Sequence, residues 1–178
     1  LLRFFATKGE LPLCCHGALG AAYYLFNSDH GKSFTIKSYQ TKTNLDIACD
    51  DNLIAMSIVN NGKVIDDNLD LDIISKLLAI DKTSINAFLP CVVASIGSPK
   101  LLVPVIDRNI LFNMVPNLDL IRQWCKKYSI NGVYAYSNDT ERSASDYVGR
   151  NFNPLFSHQE DIATGVAAAA LAFMLNLK

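Results

Sequence analysis

The chain has 178 residues, enough for one domain or two small ones, and its hydrophobic content of 50% can supply an ample core. A formal net charge of −1 excludes the strongly basic surface that would attract nucleic acid or an anionic membrane. Five irregularly spaced cysteines argue against a secreted disulfide framework, and since no signal peptide is recognisable we expect a cytoplasmic protein.

The first residues, Leu1–Phe5, read as the middle of a strand, and the last apolar helix has nothing after it to cover it. We therefore expect further sequence at both ends of the chain. Thr7–Pro12 predicts a turn before a small-residue helix that begins near His16. Alternating and β-branched stretches then predict strands at Ser33–Tyr39, Thr43–Ala48 and Leu53–Val59.

The most polar stretch, Asn60–Asp72, is the best candidate for a connection between two half-domains, which we place at residues 1–66 and 67–178. We expect the first to be incomplete at its N-terminus and the second at its C-terminus. Asp70 or Asp72 is expected to cap a helix over Ile73–Leu78. Later patterns predict a helix at Leu118–Tyr128. They also predict strands at Ala87–Ile96, Lys100–Val105, Gly132–Tyr136 and Tyr147–Phe152.

The last helix is unusual because every residue from Gly165 to Leu175 is apolar and most are small. Such a helix has no polar face, and it is shorter than the about 20 residues of a membrane span, so we expect it to be enclosed on all sides. A weaker copy lies near the start of the chain. When His16-Gly17 is aligned with Thr164-Gly165, small residues follow in both helices.

The resemblance between the two ends extends to the preceding strands, where Arg3 and Phe5 correspond to Arg150 and Phe152. This pattern suggests an internally duplicated α+β protein. Two helix N-termini facing one cleft would hold a small anion. The alternative left open by the pattern is that both are ordinary core helices with caps.

These segments resemble the PhzF-like phenazine-biosynthesis family, within the diaminopimelate-epimerase-like fold. That family has C-G-H-A-T-L-A at its first helix, and R-x-F-x-P followed by E-D-P-A-T-G-S-A at its second. The matching segments here are Cys14–Gly20, Arg150–Pro154 and Glu160–Ala167, with Gly97–Val105 matching a G-x-P-x-x-x-V-x-V strand pair. The resemblance implies two pseudo-symmetric halves, each a β-barrel-like mixed sheet wrapped around a central buried helix.

The same resemblance implies a cofactor-independent isomerase. It would transfer a proton by acid/base catalysis on a small carboxylic acid, cyclic acids included, that binds between the two halves. The resemblance also implies a homodimer and no nucleic-acid or membrane partner. The family's substrate-contacting histidine and aspartate correspond to His16 and Asp161, and Glu160 corresponds to an acid of structural role. The family's catalytic glutamate corresponds to a position before Leu1.

Further residues at the two helix ends are expected to bind substrate: Cys14, Cys15, Gly17, Thr164, Gly165 and Val166. Cys15 replaces a glycine of the family and Val166 replaces a serine. Epimerases of this fold use two opposed cysteines; Cys14 matches the first, and Ile162, which we align with the second, cannot transfer a proton.

Three alternatives stay open. The substitutions at the helix ends are compatible with a catalytically inactive small-acid-binding or scaffold protein on the same fold. His16 can instead be a capping or packing histidine, and Asp161 an acid that favours a helix N-terminus. A metal site from Cys14, Cys15 and His16 does not match the spacing of zinc ligands, so we expect none.

Overall fold

The computed structural model describes residues 1–6, 9–11, 13–28, 33–42, 44–50, 53–58, 62–155, 160–162 and 164–176. The chain divides into two compact units, Leu1–Asn61 and Gly62–Lys178. The boundary expected after residue 66 moves to residues 61 and 62, because Lys63–Asp66 forms a strand that pairs with Val92–Ser95 in the second unit.

The first unit contains two small antiparallel sheets and one helix. Its described elements are β1 (Phe4–Ala6), β2 (Gly9–Leu11), α1 (Cys15–Asn27), β3 (Ser33–Lys37), β4 (Asn44–Asp50) and β5 (Leu53–Ile58). The strands β1 and β2 form a hairpin, and β3, β4 and β5 form a three-stranded meander. Alternation along β3 and β4 turns Ile36, Leu45 and Ile47 towards the small residues Ala18 and Ala22 of α1. Small side chains on α1 allow the helix to lie close to the sheet.

The second unit is built on one six-stranded sheet in the order β11-β10-β9-β8-β7-β6. Its elements are β6 (Lys63–Asp66), α2 (Leu71–Leu78), a 3-10 turn (Lys82–Ser84), β7 (Val92–Ser95), β8 (Pro99–Pro104), α3 (Arg108–Asn113), α4 (Leu118–Tyr128), β9 (Val133–Ser137), β10 (Val148–Phe152), β11 (Glu160–Asp161) and α5 (Gly165–Asn176). Among the described strands of this sheet, only β8 and β9 pair in parallel, and α3 and α4 form the connection between them.

The two faces of this sheet are covered differently. The helices α2, α3 and α4 pack against one face and form with it a single apolar core. This core includes Leu77, Leu111, Ile121 and Phe152. The helix α5 packs against β7 and β8, with Ala167, Ala170, Leu171 and Met174 buried. The sheet is therefore sandwiched between helices, as expected for a strand set that is apolar on both sides.

The β-barrel-like form expected for each half is not found among the described residues, because all three sheets are open. The expectation that the last helix is enclosed on all sides is also wrong within the described chain, since Ala168 and Ala172 are exposed. On α1, Tyr23 and Tyr24 are exposed as well. An open sheet covers one side of a helix and leaves the other uncovered, which explains both differences. No described helix has the length and apolar character needed to cross a membrane.

Candidate active-site residues at two helix N-termini

Within the described residues, the N-terminus of α1 lacks the capping side chain that α2, α3 and α4 have. Asp70, Asp107 and Asn117 accept backbone N–H bonds at the starts of α2, α3 and α4. Cys14, in the same position before α1, is extended and makes no such bond among the described residues, and the first turn carries no acid. No described side chain therefore caps the amide groups of this turn, and such groups are suited to bind an anion.

His16 lies in this first turn and is exposed. The Sγ atom of Cys14 lies 3.3 Å from Nε2 of His16, which is a hydrogen-bonding distance for sulfur. A Cβ atom at Gly17 would lie 3.1 Å from the same Sγ, so glycine lets the thiol lie against the helix. Cys14, His16 and Gly17, all expected at the site, are therefore close neighbours.

Cys15, expected to bind substrate, has a side chain that is buried rather than open to a ligand. Its side chain is buried, with 7% of its surface exposed. Burial, assisted by the neighbouring Cys14, raises the pKa of the Cys15 thiol to about 11. The thiol stays protonated at neutral pH and is a packing group rather than a nucleophile.

The second helix end lies beside the six-stranded sheet. Leu102, Tyr134, Asn151 and Asp161 are directly paired on β8, β9, β10 and β11, and strand alternation places them on one face. Burial raises the pKa of Tyr134, while a hydrogen bond with Thr164 opposes that rise. Because Thr164 directly precedes α5, this bond connects the helix end to the face that carries Asp161.

Both helices follow the same hairpin, with the same ion pair. Phe5 pairs with Glu10 across β1 and β2, and Phe152 pairs with Glu160 across β10 and β11. Arg3 donates two bonds to Glu10, at 3.0 and 2.8 Å. Arg150 donates Nε and NH2 bonds to Glu160, at 2.8–3.1 Å. The structural role expected for Glu160 agrees with this contact.

The shared hairpin corrects the alignment of the two helix ends. Glu10 lies five residues before the start of α1, and Glu160 lies five residues before the start of α5. Cys14 therefore corresponds to Thr164 and not to Ile162, and His16 corresponds to Val166. The earlier alignment of His16 with Thr164 is wrong by two residues, because helix composition alone leaves the register undetermined. Ile162 is 96% exposed.

Sequence reasoning missed a buried cation next to Asp161. Lys100 is 4% exposed, and its ammonium donates to the carbonyl of Asn131 and lies 3.4 Å from Oδ1 of Asn151. The available signal was a lysine placed between Pro99 and the apolar run Leu101–Val103 in a predicted strand. In the described part of the chain, no three His, Cys, Asp or Glu side chains are grouped so that they could hold a metal ion.

The model of the family described as "Phenazine biosynthesis-like protein" (PhzC-PhzF) matches residues 1–178, the full length of the chain. This chain belongs to the phenazine biosynthesis-like family. A curated relative, an uncharacterized isomerase of Clostridium acetobutylicum, is 24% identical over 99% of this chain and 61% of its own length. Another uncharacterized isomerase, from Deinococcus radiodurans, is 28% identical over 57% of this chain and 32% of its own length.

Solved structures of PhzF-type proteins have the same fold. The PhzF-family phenazine biosynthesis protein of Bacillus anthracis superposes with a TM-score of 0.81 at 21% identity, covering 96% of this chain and 59% of that one. A predicted epimerase of Pseudomonas aeruginosa gives a TM-score of 0.76 at 23% identity, covering 97% and 60%. The mixed α+β fold is confirmed. The chain spans about 60% of the length of these relatives and less of the Deinococcus protein.

His16 belongs to the first unit and Asp161 to the second. Their joint action on one substrate stays a prediction, as does the pseudo-symmetry of the two halves.

Proposed function

We propose that this protein is a cofactor-independent isomerase that moves a proton on a small carboxylic acid, cyclic acids included. The observation that carries the proposal is the first turn of α1, where uncapped amide groups stand beside the exposed His16. The family membership and the isomerase names of its relatives support the same reaction class. The amide groups of α1 would hold the substrate carboxylate, since a helix N-terminus favours an anion.

The two side chains would act on the proton. A thiol of Cys14 that donates to Nε2 of His16 leaves the ring proton on Nδ1, from which it can be donated to a substrate oxygen. Asp161 would accept or hold a proton near the substrate. A C–H bond breaks next to a carbonyl or double bond and a new C–H bond forms elsewhere, so the substrate is neither oxidised nor reduced. By the family resemblance, the base that removes the first proton would be a glutamate.

The test is incorporation of solvent deuterium into a panel of small cyclic carboxylic acids by the whole protein. We expect exchange in the wild type and a loss of about 100-fold or more in His16→Ala and in Asp161→Asn, the range for loss of an acid/base group. Tyr24→Ala on the exposed side of α1 and Asp119→Asn on α4 are matched controls that should keep full exchange. Exchange that survives both site variants would refute the assignment of these residues.

A second candidate function is binding of a small acid without catalysis. It is favoured by Val166, which replaces the family's serine and leaves no hydroxyl at the position that corresponds to His16. The replacement of glycine by Cys15 no longer argues for it, since the cysteine side chain is buried. Saturable binding of an acid by calorimetry, with no deuterium exchange at enzyme concentrations in the micromolar range, would favour this alternative over the isomerase.

A further inference from the structure

The side chain of Lys100 extends along the sheet of the second unit, and its ammonium group is buried there. Lys100 is on β8, but its partners are the carbonyl of Asn131, before β9, and Oδ1 of Asn151 on β10. To reach them the side chain passes Gly132. A Cβ atom at Gly132 would lie 3.2 Å from the lysine nitrogen and 2.6 Å from the carbonyl oxygen of Phe152. Gly132, with φ of +118°, has no Cβ atom, and the space this leaves is occupied by the lysine side chain.

Asn151 connects the lysine to the acid. It is 3% exposed and pairs directly with Asp161 across β10 and β11. Paired residues on adjacent strands have their side chains on the same face. The charge of Asp161 in turn favours the protonated form of Lys100. A buried cation, a buried amide and a carboxylate thus follow one another across the sheet towards the start of α5.

We infer that Lys100 is a positioning residue for Asp161. Lys100 holds the Asp161 carboxylate at the edge of the sheet in the orientation that proton transfer requires. This inference rests on the proposed function. The Asp161 side chain needs such a contact because its strand is short. The strand β11 has two residues and pairs only with β10 among the described strands, so its backbone alone is a weak anchor for a side chain. A buried ammonium attracts a nearby carboxylate and restricts where it can lie.

The charge on Lys100 is itself sensitive to pH. Burial lowers the pKa of Lys100 to about 8, although the carboxylate of Asp161 and the nearby Cys125 oppose this shift. Among the described residues, the titratable groups whose charges act on the lysine are Asp161 from β11 and Cys125 from α4. Burial raises the pKa of the Cys125 thiol, so it stays neutral while the lysine loses its proton. Above about pH 8 the carboxylate loses its cationic partner.

The first arm of the experiment compares kinetics of deuterium exchange in the wild type and in Lys100→Met, which keeps the length of the side chain and removes its charge. We expect kcat to fall by about 10- to 100-fold with KM changed by less than about threefold, because the carboxylate is misplaced rather than removed. The wild type should lose activity above about pH 8, and the variant should lack this alkaline limb. A kcat within about twofold of the wild type would overturn the inference.

The matched control is Tyr136→Phe. Tyr136 is fully buried on the same sheet, and its hydroxyl donates to the carbonyl of Pro90 at 2.7 Å. The variant loses a buried hydrogen bond of similar kind without touching Asp161, so kcat and the pH profile should stay as in the wild type. An equal loss of kcat in this control would mean that Lys100 acts through general stability, and would also overturn the inference.

The second arm requires no catalysis and separates this inference from the proposed function. The carboxyl ¹³C resonance of Asp161 is assigned with Asp161→Asn and followed from pH 6 to 10 in the wild type. We expect a step near pH 8, when the facing lysine loses its charge, and no step in Lys100→Met. No step in the wild type, or the same step in the variant, would overturn the inference even if exchange activity is present. A step without any exchange activity would keep the pairing of the two groups and refute the isomerase.

Discussion

Burying the ammonium of Lys100 takes a charge out of water, which is costly unless the charge is well paired. Its hydrogen-bond partners are one backbone carbonyl and one amide oxygen, and the charge of Asp161 favours its protonated form. The lowered pKa means that these partners do not fully replace the lost hydration. A site that sacrifices stability in this way is typical of residues retained for function.

This cost should be visible as pH-dependent stability. The folded pKa of about 8 is below the ordinary value of 10.5, so between these values the unfolded chain binds the proton and the folded chain does not. The penalty is complete below pH 8 and is relieved as the pH rises. Relative to Lys100→Met, the wild type should gain on the order of 2 kcal/mol in the free energy of unfolding between pH 7 and pH 10. Urea denaturation at both values measures the difference, and a difference independent of pH would contradict the lowered pKa.

At the scale of elements, the same Arg-x-Phe hairpin precedes both apolar helices but is anchored differently. Arg3 contacts Glu10 and lies over the rings of Phe5 and Tyr39, with 53% of its side chain exposed. Arg150 is 20% exposed and lies over Phe152. Its Nη1 also donates to the carbonyls of Leu111 and Phe112 in α3 and of Met114 directly after it. Carbonyls at a helix C-terminus have no partner within their own helix, so Arg150 connects α3 to the closing hairpin.

We therefore expect Arg150→Ala to destabilise the protein by about 2–4 kcal/mol, because it leaves Glu160 without its partner and the helix carbonyls without a donor. Arg150→Lys should restore only part of this loss, since an ammonium lacks the planar fork that bonds the carboxylate and the carbonyls together. Thermal or urea unfolding gives the values.

The matched control for this prediction is Arg3→Ala, which removes the corresponding ion pair from an exposed position. Exposed ion pairs contribute little to stability, so this variant should unfold nearly as the wild type does. Equal losses for the two variants would show that the contacts of Arg150 with α3 do not stabilise the fold.

At the scale of the whole molecule, the two units have cores of different size. The described residues give the second unit one cluster of sixteen buried apolar residues, whereas the cluster of the first unit has six. Burial of apolar surface is the main favourable term in folding, so the smaller core should open more readily.

Amide hydrogen exchange followed by mass spectrometry should reveal this difference. Peptides from β8 and β9 should be the slowest to exchange, because these strands are central and buried on both faces. Peptides from β3, β4 and β5 should exchange earlier. Equal protection of the two sets would show that the first unit is stabilised by more than its own core.

Several features were predictable from local sequence. The helix α4 spans Leu118–Tyr128 as expected, and Asp70 caps α2 through the backbone amides of Asp72 and Ile73. The helix α3 was missed, although Asp107 caps it, because six residues give too short a periodic pattern. The strand expected over Ala87–Ile96 is confined to Val92–Ser95, since residues 86–89 form turns.

The sequence by itself determined the family, the two Arg-x-Phe strands, and the small-residue helices with His16 and Asp161 near their starts. These are local patterns, carried by neighbouring residues and by caps and turns within a few positions. Only the tertiary structure decided that the sheets are open, that Cys14 corresponds to Thr164, and that Lys100 lies buried beside Asp161. Strand order and side-chain burial depend on contacts between residues distant in the chain, and no short segment contains that information.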